Sequence, residues 1–255
     1  MSAFYTTVAR FYDSENTDKT DDLEMYSRLA AKYGGEILDV GCGTGRVLLH
    51  LARDGRRAHG IDNDSAMLDR LDVKLQQLPQ LRDFVSYARG DVLSQQWDRN
   101  FSLILLTYNA LMHFHEQDHQ IALLRQLRAC LAEDGRLVID LPNAGPAFAA
   151  EDSDALTFER SFLDRETGHL VMLQSLAYLD RAAQMLTVEW IYDEIDGNGT
   201  VKRLIAPHRL RYFFLPEMQL LLERAGFTVK AVYGEPDGAP YDADSERMIV
   251  YAAGV

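Results

Sequence analysis

The chain of 255 residues predicts an α/β fold: a seven-stranded, mostly parallel sheet flanked by helices, with an inserted antiparallel β cap. Three observations carry this expectation. Apolar strand-length segments alternate with segments of helical periodicity from residue 36 to residue 142. Within that stretch Phe101-Ser-Leu-Ile-Leu-Leu106 is an almost unbroken apolar run, as expected of a strand covered on both faces of a parallel sheet. Between Thr157 and Phe214 the texture changes to strands separated by turn signals, which an antiparallel group would produce.

The elements follow in order. Glu36-Ile-Leu-Asp-Val40 is an apolar strand that runs into Gly41-Cys-Gly-Thr-Gly45-Arg46, a loop from which a helix starts. Glycine at alternate positions lets a ligand lie against main-chain N–H groups at the helix N-terminus. A dinucleotide fingerprint would place its third glycine one residue later, where Arg46 stands, so a dinucleotide fits poorly. The helix Arg46–Arg53 ends at Asp54-Gly55, and strand Arg57–Asp62 returns with a carboxylate about twenty residues past the loop, the offset at which an acid meets ribose hydroxyls in sheets of this type. Asp62 is therefore the expected ribose ligand, because a carboxylate accepts hydrogen bonds from two vicinal hydroxyls.

Ser65 reads as the N-cap of a helix reaching Leu78, followed by strand Phe84–Arg89 and by Gly90-Asp91-Val92. Helix Asp118–Leu131, the turn Glu133-Asp134-Gly135 and strand Arg136–Leu141 complete the alternation, which Pro142-Asn-Ala-Gly-Pro146 closes. The cap is read as strands Gly168–Leu179, Met185–Ile195, Val201–Ala206 and His208–Phe214, with Asp196-Gly-Asn-Gly199 as a hairpin turn. Pro216 and Gly226 bracket a helix, and strands Phe227–Tyr233 and Arg247–Ala252 rejoin the sheet.

The glycine loop resembles motif I of the class I S-adenosylmethionine (SAM)-dependent methyltransferases, and Asp62 and Gly90-Asp91 follow at that family's spacing. Leu210-Arg-Tyr-Phe-Phe, Leu221-Leu-Glu-Arg-Ala-Gly-Phe227 and Val232-Tyr-Gly-Glu resemble small-molecule members whose inserted strands cover the acceptor pocket. Tyr5, Phe11, Tyr12 and Asp13 are similar to the segment that closes over the cofactor in such enzymes, where a tyrosine often faces the methyl donor. The resemblance implies a Rossmann-like core at residues 35–146, an N-terminal helical lid at 1–34, a cap at 147–214 and a closing part of the core sheet at 215–255.

It further implies SAM as cofactor and S-adenosylhomocysteine as product. Asp91 would accept from the adenine amine and Val92 would pack on the ring. Gly41, Cys42, Gly43, Gly45 and Arg46 of the loop, with Asn63, Met67, Thr107 and the lid's Tyr12, complete the expected cofactor contacts. Acceptor-side candidates are Tyr5, Tyr108, His113, His208, Arg211 and Tyr212, and His113, Tyr12 and Tyr108 are the candidate catalytic side chains. His113 lies just past the fourth strand, at the carboxyl edge where open α/β sheets bind ligands, and an imidazole there could take a proton from the acceptor. His115 and His119 read as solvated or capping residues.

Composition narrows the partners. A net charge of −13 argues against a polyanion as substrate. No Asn-Pro-Pro-Tyr-like motif follows the fourth strand, where Thr107-Tyr-Asn-Ala-Leu111 stands, so nucleobase amines are not expected acceptors. Cys130 lacks the neighbouring proline of a cytosine C5 enzyme; it and Cys42 read as packing residues. Asp140 and Asn143 make no convincing set of hard ligands, and His113, His115 and His119 lack zincin spacing, so no metal is expected. No tyrosine–lysine pair supports a nicotinamide-dependent reductase. The expectation is methyl transfer to N, O or S of a small soluble metabolite; a non-catalytic SAM-binding partner or protein-modifying subunit is the alternative. With no basic leader and no membrane-length apolar run, the cytoplasm is the expected location, without membrane or nucleic-acid partners. A homodimer is compatible with the composition.

Overall fold

The computed structural model describes residues 4–149 and 154–255; the first three residues of the expected lid and residues 150–153 of the expected cap lie outside the described residues. Two helices, α1 (Phe4–Glu15) and α2 (Leu23–Tyr33), precede β1 (Ile37–Val40). Then come α3 (Arg46–Arg53), β2 (Ala58–Asp62), α4 (Ser65–Gln77), β3 (Val85–Arg89), β4 (Phe101–Leu106), α5 (Gln117–Cys130), β5 (Leu131–Pro142) and a short α6 (Ala144–Ala149). A second group, β6 (Thr157–Leu163), β7 (Leu170–Asp180), β8 (Met185–Ile195) and β9 (Val201–Arg211), leads into α7 (Leu215–Arg224), β10 (Phe227–Tyr233) and β11 (Arg247–Gly254).

The seven-stranded sheet has the order β10-β11-β5-β4-β1-β2-β3, with β11 antiparallel to its neighbours and the other pairs parallel. Because β1 pairs with both β2 and β4, the chain reverses its direction of travel across the sheet at β1, and the crevice at the carboxyl ends of these strands is where such sheets bind ligands. One core joins β4 and β5 to α5 and α7 through Phe101, Ile104, Leu124, Leu127 and Met218; the other joins β1 to α2, α3 and α4 through Ile37, Tyr26, Leu48 and Leu71. Each helix buries one apolar stripe and the sheet is covered on both faces, which accounts for the uninterrupted apolar run of β4.

The second sheet is antiparallel, in the order β6-β7-β8-β9. Its inner face does not pack on the first sheet alone. Val171, Leu173, Tyr192 and Ala206 close a core with Phe4, Val8 and Phe11 of α1, and Phe11 stacks on Tyr192 with centroids 5.3 Å apart. The N-terminal helix is thereby clamped between the second sheet and the mouth of the crevice.

Several local expectations are corrected. The cap of α4 is Asp64, whose side chain accepts from the Met67 N–H at 3.0 Å, and Ser65 is the first helical residue. Val201–Arg211 is one strand; Pro207 does not break it because β9 is an edge strand, where proline is tolerated. Strand β6 was not expected. It is mostly exposed and mixed in polarity, so it lacks the apolar alternation that marks a strand. The turn at Glu133–Gly135 is a bulge within β5, where pairing jumps from Phe101↔Leu131 to Leu103↔Arg136. Pro142–Pro146 is partly helical, as the start of α6. Among the described residues no helix is long and apolar enough to cross a membrane.

Candidate active site

A cavity of about 540 Å³ opens at the carboxyl ends of β1, β2 and β4. Its floor is the glycine loop. Gly41 and Cys42 donate their N–H groups to the Ile61 carbonyl at 2.8 and 3.2 Å, which ties the loop to β2, and Gly43 and Gly45 take left-handed φ of 53° and 80° to turn the chain into α3. Cys42 fills space beside Gly60, where a Cβ would meet its sulfur at 2.6 Å; burial holds its thiol well above the ordinary range, consistent with a packing role.

Asp62 joins the loop to the next helix. One carboxylate oxygen accepts from the Gly43 N–H at 2.8 Å and the other from the Asp64 N–H at 2.9 Å. Burial nonetheless raises its pKa, because desolvation outweighs those bonds. Deeper still lies Asp39 of β1, 1% exposed, which accepts from the Thr107 hydroxyl at 3.1 Å. Burial pushes it up to about 7. Sequence reasoning missed it, although a carboxylate inside Ile37-Leu-Asp-Val40 is a signal in its own right.

Helix α1 fastens over this floor. Asp13 accepts from the Thr44 hydroxyl at 2.7 Å and from Lys74 at 2.6 Å, and Lys74 also donates to the Thr44 carbonyl at 3.0 Å. Thr6 donates to Asp64 at 2.6 Å. The helix so presents Tyr5 and Tyr12 to the cavity. Arg46 enters the lining already neutralised by a bidentate pair with Asp22 at 2.5 and 2.6 Å. After β4, Tyr108 and Asn109 both have positive φ, 43° and 71°, a conformation that L residues avoid. Lys19 sits over the Tyr108 ring at 3.8 Å and helps hold it there.

The far end of the cavity is aromatic and histidine-rich. The Tyr5 hydroxyl lies 3.0 Å from His113 Nε2. His208 stacks on Phe4 with centroids 3.9 Å apart and on His113 at 5.2 Å, and its buried Nε2 has no hydrogen-bond partner among the described residues. Burial pushes His113 down to about 4 and His208 to about 3, with only neighbouring histidines adding to the effect. Both are neutral at pH 7.

Of the residues expected at the site, Tyr5, Tyr12, Gly41, Cys42, Gly43 and Arg46 line the cavity, as do Asp62, Asn63, Met67, Asp91, Val92, Thr107, Tyr108, His113 and His208. Gly45 stands behind the lining as the N-cap of α3. Arg211 and Tyr212 are outside it: Arg211 pairs with Glu217 at 2.7 Å, and Tyr212 is buried against Phe214. His115 and His119, read from the sequence as solvated or capping residues, also line the cavity with Glu116 and Arg209, and His119 is exposed. Among the described residues no group of three His, Cys, Asp or Glu side chains is arranged to hold a metal.

A family model described as a methyltransferase domain matches residues 37–135. The chain is also 30% identical over 219 residues to the cypemycin N-terminal methyltransferase of a Streptomyces species, covering 85% of this chain and 82% of that one. The chain belongs to the class I SAM-dependent methyltransferases. This methyltransferase is 23% identical to the dTDP-3-amino-3,6-dideoxy-alpha-D-glucopyranose N,N-dimethyltransferase of Streptomyces fradiae, across 91% of its own length and 88% of the relative's. Its fold is shared with the CcbJ methyltransferase from Streptomyces caelestis, with a TM-score of 0.78, 23% identity and coverage of 92% of this chain and 95% of the other. SAM is thus the enzyme's cofactor.

Proposed function

We propose that the enzyme methylates the amine nitrogen of a small molecule, with SAM on the floor of the cavity and the acceptor against Tyr5, His113 and His208. The donor set suits the cofactor: Asp62 for the ribose hydroxyls, Asp91 and Val92 for adenine, and the glycine loop and Arg46 for the remainder. When bound, SAM supplies an electrophilic methyl group on a sulfonium sulfur.

The observation that carries the amine reading is the packing of the far end, where the Tyr5 hydroxyl, His113 and His208 meet and the His208 ring is stacked on Phe4. The same desolvation that holds His113 and His208 uncharged acts on an ammonium brought beside them, since no carboxylate contributes to either shift. An amine therefore arrives there with its lone pair free. Tyr5 and His208 can hydrogen-bond the nitrogen and orient it, and positioning of this kind contributes roughly 7–11 kcal/mol to such reactions. A relative whose name specifies an amine nitrogen, the amino-sugar N,N-dimethyltransferase, supports the same class, and another is named as an N-terminal methyltransferase.

The test is transfer of radiolabelled methyl from SAM into a cell extract separated by size, followed by mass spectrometry of the labelled compound. Label on nitrogen in the low-molecular-weight fraction is expected. Label on oxygen or sulfur, or mainly in nucleic acid or protein, refutes the proposal.

A further inference from the structure

Methylation of an amine leaves a proton to be removed, and the cavity contains four histidines that could receive it: His113, His115, His119 and His208. Their hydrogen bonds separate them. The Tyr5 hydroxyl and His113 Nε2 are hydrogen-bonded to each other, so that ring nitrogen is already engaged. His113 is also pushed down to about 4 by burial, which makes it a weak base at neutral pH.

His115 is held the other way round. Its Nε2 lies 2.9 Å from the Arg209 carbonyl oxygen of β9. A carbonyl only accepts, so Nε2 carries the hydrogen and the neutral ring keeps a bare lone pair on Nδ1. The main chain is fixed as well. Gln120 of α5, 0% exposed, donates to the Phe114 carbonyl at 2.6 Å and to the His115 carbonyl at 3.4 Å. A ring with one nitrogen anchored to an acceptor and the other without a partner among the described residues is arranged as a general base is, with a backbone carbonyl in the orienting role.

We propose that His115 takes the proton released from the acceptor nitrogen, with the Arg209 carbonyl selecting Nδ1 as the receiving atom. As the nitrogen lone pair bonds to the methyl carbon, the carbon–sulfur bond breaks with its electron pair left on sulfur, and the nitrogen acquires positive charge. The electron pair of one N–H bond then stays on nitrogen while the proton bonds to Nδ1, and the imidazolium so formed passes the proton to water at the half-buried end of the cavity. The titratable groups that line the cavity around His115 are Tyr5, His113, Glu116, His119, His208 and Arg209. The inference rests on the amine reading above.

Two measurements on the full chain test it. Nitrogen NMR of isotope-labelled histidines, with S-adenosylhomocysteine present, should show His115 as the Nε2–H tautomer; an Nδ1–H tautomer overturns the proposal. His115→Gln keeps an N–H for the Arg209 carbonyl but has no basic nitrogen. With glucosamine, glycine and diglycine as probe amines, its kcat should fall roughly 10²–10⁴-fold and leave the KM for SAM unchanged. Unchanged kcat, with an active wild type, overturns the role of His115 alone. A wild type that binds S-adenosylhomocysteine but methylates none of the three amines counts against the amine reading and against this proposal with it.

Discussion

Replacing His208 with glutamine should flatten the dependence of stability on pH between 7 and 5. The ring is 7% exposed, stacked on Phe4 and beside His113, and burial holds its pKa at about 3 against an ordinary value of 6.5. The sign follows from where the proton binds. Above pH 6.5 neither the folded nor the unfolded ring is charged, so there is no penalty. As the pH falls towards 3 the unfolded ring takes a proton that the folded ring does not, and the folded state loses stability. Each pH unit below 6.5 costs about 1.4 kcal/mol, so the fall from pH 7 to pH 5 costs about 2 kcal/mol for this ring alone. Urea denaturation of both proteins at the two pH values measures the difference. Buried carboxylates such as Asp39 titrate in the opposite direction, but they are common to both proteins and cancel in the comparison. Parallel pH dependences for wild type and His208→Gln would refute the claim that the acceptor end holds this imidazole neutral.

Asp62→Ala should weaken S-adenosylhomocysteine binding by roughly 1.5–3 kcal/mol, the scale of a lost charge-assisted hydrogen bond, and Asp62→Asn, which keeps an acceptor for the Gly43 N–H, should lose less. Calorimetry gives both values, and an unchanged dissociation constant in the alanine variant would mean that the ribose lies elsewhere. Phe11→Ala should cost about 3–5 kcal/mol in urea denaturation, because it empties the core between α1 and the second sheet. A loss below about 1 kcal/mol would show that α1 is not part of the folded core.

The glycine-loop half of the cavity was legible in the sequence because it is local. The loop from Gly41 to Arg46 and the acid Asp62 lie within a single strand–loop–helix–strand unit, and such units keep fixed offsets. The histidine-rich half is assembled from segments far apart in the chain. Nothing near His115 shows that Arg209 will offer it a carbonyl, since the partner lies on an edge strand of the second sheet. Arg211 shares a strand face with Arg209, which lines the cavity, but it ends β9 and pairs instead with Glu217 at the start of α7. Asp39 was hidden for a different reason. A carboxylate within an apolar strand reads as an interruption of the pattern until the cavity that receives it is visible.

The central claim is spatial: cofactor on the glycine-loop side, acceptor against the imidazoles. A structure of the enzyme with S-adenosylhomocysteine bound tests it most directly. The account predicts ribose hydroxyls on Asp62, adenine beside Asp91 and Val92, and the sulfur with its open side towards Tyr5, His113 and His208. A sulfur directed away from those rings, or adenine lodged among them, would contradict it.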